Sequence, residues 1–170
     1  MGKESTKENK NIYRLTRESL DLSREKASDL LETIPPERIE KIENEKVMPY
    51  PDEILKMSKK YKKPSLCNYY CSNQCPIGQE YVPEIQVKEL SAIVLEMLAS
   101  LNSVNNKKER LIEITADGKI DVNEIDDFIY IQDELEKISI TVETLQLWVE
   151  KMLANNIIDA DEYKKRRENK

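Results

Sequence analysis

Apolar residues recur in alternating steps of three and four through most of the second half of the chain. The first series occupies Val87, Leu90, Val94, Met97, Leu101, Val104, Lys108 and Leu111, with one lysine among apolar positions. The second series occupies Phe128, Ile131, Leu135, Ile138, Val142, Leu145, Val149 and Met152. Such alternation is typical of a coiled-coil seam, in which a stripe on each helix packs against a partner helix. The spacing therefore predicts two long helices.

The segment between the two series reads A-D-G-K-I-D-V-N-E-I and predicts a turn. Gly118 can adopt the left-handed conformation that ends a helix, and Asp121 with Glu124 has the spacing of a capping box. The same residues resemble the second half of a calcium-binding loop, but Glu113 and Thr115 occupy the first and third positions of the loop in place of aspartates. We therefore expect capping, and the two helices should fold back as an antiparallel hairpin.

Composition extends the helical prediction to the whole chain. Only three of the 170 residues are glycine, and there is one Phe and one Trp, which leaves little material for strands and tight hairpins. No apolar run approaches the length needed to cross a bilayer, and the polar start lacks the apolar core of a signal peptide. We expect an all-α protein located in the cytoplasm.

The net charge of −6 is distributed unevenly along the chain. Residues 1–66 have a balance of +2, whereas residues 67–170 have a balance of −8. Five lysines fall within eight residues of the first part, at Lys56, Lys59, Lys60, Lys62 and Lys63. The two parts are therefore expected to meet different partners, and the first is the better candidate for an anionic one.

Several short helices are predicted in the first part. Helix one should cover residues 11–20, with Ile12, Leu15 and Leu20 inward. Ser23 is a suitable N-cap for the next helix. Two further boundaries are predicted from local chemistry: Pro35 and Pro36 suit the first turn of a third helix ending near Asn44, and Asp52 suits the cap of a fourth. Apolar spacing on either side of Glu32 and Thr33 predicts that helices two and three are joined by a tight turn.

These residues resemble the Xre family, whose helix-turn-helix fold is shared by Cro and lambda-type repressors. The family pattern L-S-x-E-x-L-A corresponds to L-S-R-E-K-A at Leu22 to Ala27, and I-x-x-I-E-x-G-K-x-x-P corresponds to I-E-K-I-E-N-E-K-V-M-P at Ile39 to Pro49. The match covers about the first 65 residues. Ala27 has a physical reason to be small, because helices two and three cross closely there. Thr33 stands where the family commonly has glycine.

The resemblance implies a DNA-binding surface made of Arg24, Pro36, Glu37, Arg38, Lys41 and Lys46. Arg24 stands where the family often contacts phosphate or base, and the residues of helix three would face the major groove. Arg38 could read guanine through paired hydrogen bonds, and Lys41 could neutralise a phosphate. Glu37 and Glu40 would repel the phosphate backbone on the same face, although glutamate can accept a hydrogen bond from cytosine.

The three cysteines, Cys67, Cys71 and Cys75, are spaced by four residues. On a helix this spacing places three thiols along one face. Zinc usually takes four ligands, and the chain has no histidine, so the fourth ligand would be a carboxylate, water or a second chain. We expect reduced thiols that pack a connector and no metal, with a metal site as the alternative.

The sequence thus predicts four parts: a disordered tail over 1–10, a helix-turn-helix domain over 11–66, a Cys- and Pro-containing connector over 67–84, and a helical hairpin with a short last helix over 85–170. No cofactor is expected, and no nucleophile–base pair, phosphate loop or histidine suggests an enzyme.

The expected function is sequence-specific binding of double-stranded DNA by a transcriptional regulator, whose hairpin supplies a homodimer contact or a protein-binding site. The apolar residues outside the two series that could make that contact are Ile93, Leu98, Ile112, Leu147 and Trp148. The alternative is a protein–protein adaptor that keeps the helix-turn-helix scaffold without binding DNA.

Overall fold

The computed structural model describes residues 10–169, and all regular structure in this range is α-helical, which confirms the prediction of an all-α protein. The described helices are α1 (Ile12–Glu18), α2 (Arg24–Leu31), α3 (Pro36–Glu43), α4 (Pro51–Lys60), α5 (Ser65–Asn73), α6 (Pro76–Tyr81), α7 (Leu90–Thr115), α8 (Ile125–Ala154) and α9 (Ala160–Glu168). The predicted disordered tail lies outside the described residues except for Lys10, whose Nζ donates to Glu18 at 2.7 Å.

Helix boundaries in the first part follow local chemistry closely. The Ser23 hydroxyl accepts a hydrogen bond from the Lys26 amide at 3.2 Å, which confirms the predicted cap of α2. Pro36 is the first residue of α3, where its missing amide hydrogen costs nothing. The prediction for α4 was wrong by two residues: the helix begins at Pro51, and the Glu53 carboxylate accepts from the Tyr50 amide at 2.7 Å.

The described residues form two compact units, one of residues 10–84 and 150–169 and the other of residues 85–149. In the first unit, α2 packs on α3 and α4, α1 on α3, and α4 on α5. These contacts enclose a core made of Tyr13, Ala27, Leu31, Ile34, Ile39, Ile42, Ile54, Met57, Tyr61 and Leu66. The core is drawn from five consecutive helices, so each short helix is stabilised chiefly by tertiary packing.

The inward face of α1 differs from the prediction. Tyr13 is buried in the core and Ile12 packs against it, whereas Leu15 and Leu20 are exposed. Helix α1 covers only Ile12–Glu18, so Leu20 lies in the turn that follows. The buried face also includes Arg14 and Arg17, because their charged ends find acidic partners within the unit.

The segment predicted as a connector contains two helices, α5 and α6. Leu66 of α5 is fully buried in the core, and Tyr69 packs in the same cluster with its ring edge toward Tyr13, 6.0 Å between centroids. Helix α6 approaches α5 at Gly78, where an added Cβ would lie 2.0 Å from the carbonyl oxygen of Cys71. Only glycine permits that approach.

Helices α7 and α8 form the long C-terminal hairpin. Ser103 and Tyr130 share a hydrogen bond of 2.6 Å between their hydroxyls, and Arg110 Nε donates to Asp127 at 2.7 Å. In the turn, Gly118 has φ +71°, and the Asp121 amide donates to Glu124 at 3.1 Å, as the capping pattern predicts.

The buried stripe of the hairpin differs from the predicted seam. The buried residues of residues 85–149 are Ile93, Ser100, Ile114, Ile131, Glu134, Thr141, Thr144 and Leu147. By contrast, Leu90, Val94, Leu101, Leu135 and Val142 of the predicted seam are exposed. Ile93 and Leu147, predicted to be left over for another chain, are buried, while Leu98 and Ile112 are exposed. Ile131 is a buried member of the predicted seam, whereas five other buried residues, Ile93, Ser100, Glu134, Thr141 and Thr144, each lie one residue before a seam position.

Within residues 10–169, the helices include none with the length and apolar character needed to cross a membrane.

Candidate nucleic-acid interface

The α2–α3 pair is joined by a short turn in which the backbone changes direction at Glu32. Glu32 has φ +65°, and its amide donates to Ser28 at 2.7 Å. Thr33, which stands where the family commonly has glycine, does not have a positive φ, because the left-handed position falls one residue earlier, at Glu32. Ala27 is fully buried on α2, as expected for a small residue at a close helix crossing.

A buried charge cluster connects α1, α2 and α3. The Glu43 carboxylate at the end of α3 accepts from Arg17 Nη2 at 3.0 Å and from Arg24 Nε at 2.9 Å. The Glu43 side chain is only 1% exposed. Burial acts to lower the pKa of Arg17, but its hydrogen bond and charge contact with Glu43 outweigh burial and raise that pKa. The cluster fixes the ends of three helices relative to one another.

Arg24 is the one predicted DNA-contacting residue in this cluster. It is the first residue of α2, and its side chain is 29% exposed. Glu43 holds the Nε edge of the guanidinium, so the position of Arg24 at the start of α2 is fixed by the last residue of α3.

Arg38 is engaged within the chain. Its Nε and Nη2 donate to the two oxygens of Glu53, both at 2.8 Å, and Nη2 also donates to the Met48 carbonyl at 3.0 Å. The guanidinium carbon lies 4.7 Å from the centre of the Tyr50 ring. Burial acts to raise the pKa of Glu53, but hydrogen bonds from Arg38 and the Tyr50 amide lower it. This paired contact joins α3 to the start of α4.

The other predicted residues of α3 and its following turn are accessible. Glu37 and Lys41 are exposed, Pro36 is half-buried, and Lys46 is exposed in the turn after α3. Glu40 is exposed as well, so the accessible surface of α3 carries both signs of charge. The structure thus separates two cations open to solvent from Arg24 and Arg38, which have carboxylate partners.

The five clustered lysines in and just after α4 divide into two groups. Lys56 donates to the Thr33 hydroxyl at 2.8 Å, and Lys60 forms an ion pair with Glu32 at 2.8 Å. Both contacts bring α4 to the α2–α3 turn. The remaining three lysines of the predicted cluster, Lys59, Lys62 and Lys63, are exposed.

The three cysteines lie in and just after α5, and all are half-buried with free thiols. Burial is the main cause that raises the pKa of Cys71. Among residues 10–169, no three Cys, Asp or Glu side chains are grouped closely enough to hold a metal ion.

Sequence reasoning did not identify the buried partners of these cations. Glu43 and Glu53 look like surface glutamates in the sequence, and only their contacts with residues 15 to 26 positions away give them a role. Tyr61 was also missed as a polar group: its hydroxyl is buried without a hydrogen-bond partner among the described residues. Burial and the charge of Glu43 raise the pKa of Tyr61 to about 12.

Comparison with protein-family models, with curated proteins and with solved structures finds no match to this chain.

Proposed function

We propose that this chain is a sequence-specific DNA-binding transcriptional regulator of the Xre type that acts in the cytoplasm. On this proposal, the first unit has the lambda-repressor-like arrangement, with α3 as the helix that enters the major groove. The observation that carries the proposal is the α2–α3 pair: two eight-residue helices cross closely at Ala27 and leave Glu37 and Lys41 of α3 exposed.

The roles of the six site residues follow from their surroundings. Lys41 and Lys46 are open cations that can neutralise phosphates. Pro36 and Glu37 lie at the N-terminal end of α3, which in a helix-turn-helix complex is nearest the base edges.

The two arginines have different requirements. Arg24 can contact a phosphate while Glu43 holds its Nε, because Glu43 uses only one edge of the guanidinium. For Arg38 to read guanine through paired hydrogen bonds, Nη2 must release Glu53 or the Met48 carbonyl, because its two hydrogens are donated to these two acceptors.

Binding should be tested with duplexes selected from a randomised library, measured by fluorescence anisotropy at about 50 and 200 mM salt. The test variant is Lys41→Glu combined with Lys46→Glu. The matched control is Lys108→Glu combined with Lys119→Glu, which reverses two exposed lysines of the hairpin. We expect the test variant to bind more weakly and to lose roughly one unit of salt slope per phosphate contact, with the control unchanged.

A second function, that of a protein–protein adaptor, is favoured by one observation. Three exposed glutamates, Glu37, Glu40 and Glu45, lie on or next to α3, where they repel a phosphate backbone. The adaptor proposal predicts that no duplex binds at either salt concentration, and that result would refute the regulator.

A further inference from the structure

The hairpin has an uncovered apolar surface, which we call the apolar face and define as Val94, Met97, Leu101, Leu135, Ile138 and Val142. Val94, Leu101, Leu135 and Val142 are 44%, 46%, 49% and 39% exposed, respectively. Met97 and Ile138 are half-buried beside them. These six positions all belong to the apolar repeat in the sequence. Part of that repeat is therefore left uncovered within the hairpin.

The four exposed members of the apolar face have a common relation to the buried stripe. Each directly follows a buried residue in the chain: Ile93 precedes Val94, Ser100 precedes Leu101, Glu134 precedes Leu135, and Thr141 precedes Val142. One residue corresponds to a rotation of about 100° around a helix axis. Each exposed residue therefore lies about 100° from the buried residue before it, in the same rotational sense on both helices.

The same rotation places both sets of residues on one side of the hairpin. Helices α7 and α8 run antiparallel, as the Ser103–Tyr130 and Arg110–Asp127 contacts establish. Viewed from one end, a given sense of rotation is clockwise on one helix and anticlockwise on its antiparallel neighbour. The buried directions of the two helices point toward each other. Opposite rotations away from these directions therefore bring the exposed residues of both helices to the same side of the hairpin. The residues thus form one continuous surface rather than two opposite ones.

The opposite side of the hairpin has a different chemistry. A groove of about 500 Å³ lies there, and its lining combines charged residues, among them Lys88, Glu96, Glu134 and Lys137, with the apolar Ala99 and Ile140. Its charges are paired: Lys88 donates to Glu96 at 2.7 Å, and Lys137 donates to Glu134 at 2.6 Å. The groove therefore contains paired charges, whereas the apolar face contains no charged residue.

We infer that the apolar face is covered by the same face of a second copy of this chain, so that two hairpins form a four-helix bundle. A sustained three-and-four repeat on both helices is what the core of such a bundle requires, and here both repeats point to the same side. Two-fold pairing of identical surfaces satisfies both copies at once.

The size of the surface agrees with this occupant. Complete covering of these six residues and of the neighbouring Leu90 and Leu98 removes at most roughly 600 Å² per copy from solvent. Two copies bury about 1,200 Å² in total, which is the lower limit of specific, stable interfaces. A monomer that left such a patch in water would be at the upper end of what soluble monomers expose. The inference concerns the hairpin and does not rest on DNA binding.

The experiment is the molar mass of the full chain by light scattering and sedimentation equilibrium between roughly 1 and 100 µM. The test variant is Leu101→Glu combined with Leu135→Glu, in the centre of the apolar face. The matched control is Leu95→Glu combined with Ile129→Glu, which changes exposed apolar residues of the same two helices outside that face. Far-ultraviolet circular dichroism reports whether each variant keeps its helices.

We expect the unmodified chain and the control to have twice the chain mass of 19.9 kDa, and the test variant to have the single mass with its helicity unchanged. If the glutamates unfold the hairpin, serines at the same two positions provide the milder test. A single mass for the unmodified chain at every concentration overturns the inference, because the face is then covered by something else or by nothing. A test variant that remains double, or a control that also dissociates, assigns the contact to another surface and overturns it as well.

Discussion

Substitution of Glu43 by glutamine isolates the charge at the centre of the buried cluster. Glutamine has nearly the same shape, so packing is retained while one negative charge is removed from a side chain that is 1% exposed. Arg17, whose side chain is 8% exposed, then keeps its positive charge with a neutral amide as its nearest partner. Arg24 is 29% exposed and regains water, so its share of the loss is small.

The magnitude follows from the geometry. At an effective dielectric constant of about 20, two opposite charges roughly 3 Å apart attract by about 5 kcal/mol, and desolvation of the carboxylate offsets part of this. Removal of one partner from a buried ion pair typically costs about 3–5 kcal/mol. Because Arg17 also donates to the Leu22 carbonyl, we expect a loss at the lower end, about 3 kcal/mol.

Native-state hydrogen exchange measured by mass spectrometry is the suitable assay, because it reports the first unit separately from the hairpin. A loss of about 3 kcal/mol accelerates exchange of the most protected amides of α1 to α4 by roughly 150-fold. Trp148 fluorescence during urea unfolding serves as an internal reference for the other unit. The control is Glu40→Gln, an exposed glutamate of the same helix, expected to change stability by less than about 0.5 kcal/mol. Equal exchange in the two variants would refute the reasoning.

Two further predictions concern other contacts of the first unit. Gly78→Ala should destabilise the α5–α6 contact by about 2 kcal/mol or more, because the new Cβ meets the backbone of Cys71 and no side-chain movement can relieve the clash. Hydrogen exchange over residues 65–81 should accelerate in this variant. The control, Glu80→Ala, should have no such effect. The pKa of Glu18 is lowered to about 2, mainly by its hydrogen bond from Lys10. A carboxylate whose pKa is lowered in the folded state stabilises the fold at pH values above its ordinary pKa of 4.5. This stabilisation is lost as the pH falls toward 2. Solvent screening reduces this effect, so acidification should lower the free energy of unfolding of the unmodified chain by about 1 kcal/mol more than that of Glu18→Gln. Urea unfolding measures both values, and an equal decrease in the two proteins would contradict the prediction.

Local sequence signals located most of the helices of the first part and their ends. Ser23, Pro36 and Asn44 act as predicted, because a cap depends on hydrogen bonds within about four residues. Gly118 and the Asp121–Glu124 pair do the same in the hairpin turn. The error at Asp52 is small, since Pro51 and Glu53 supply equivalent N-terminal chemistry one residue to either side.

The accessible part of the candidate DNA surface was only partly foreseeable. Lys41 and Lys46 are exposed, as the resemblance requires of phosphate contacts. The sequence contained no signal that Arg38 pairs with Glu53 or that Arg24 pairs with Glu43, because the partners lie 15 and 19 residues away. A free arginine and a paired one are identical in a one-dimensional pattern.

The sequence by itself determined that this protein is all-helical, where its long hairpin turns, and which helices carry apolar stripes. Those properties are decided by backbone propensity, caps and periodicity, all of which act over a few residues. Only the tertiary structure decided which side of each stripe is buried, for example Ser100 rather than Leu101 and Thr141 rather than Val142. Adjacent residues differ by a rotation of only about 100°, so contacts between distant segments, such as Ser103 with Tyr130, select one orientation over the other.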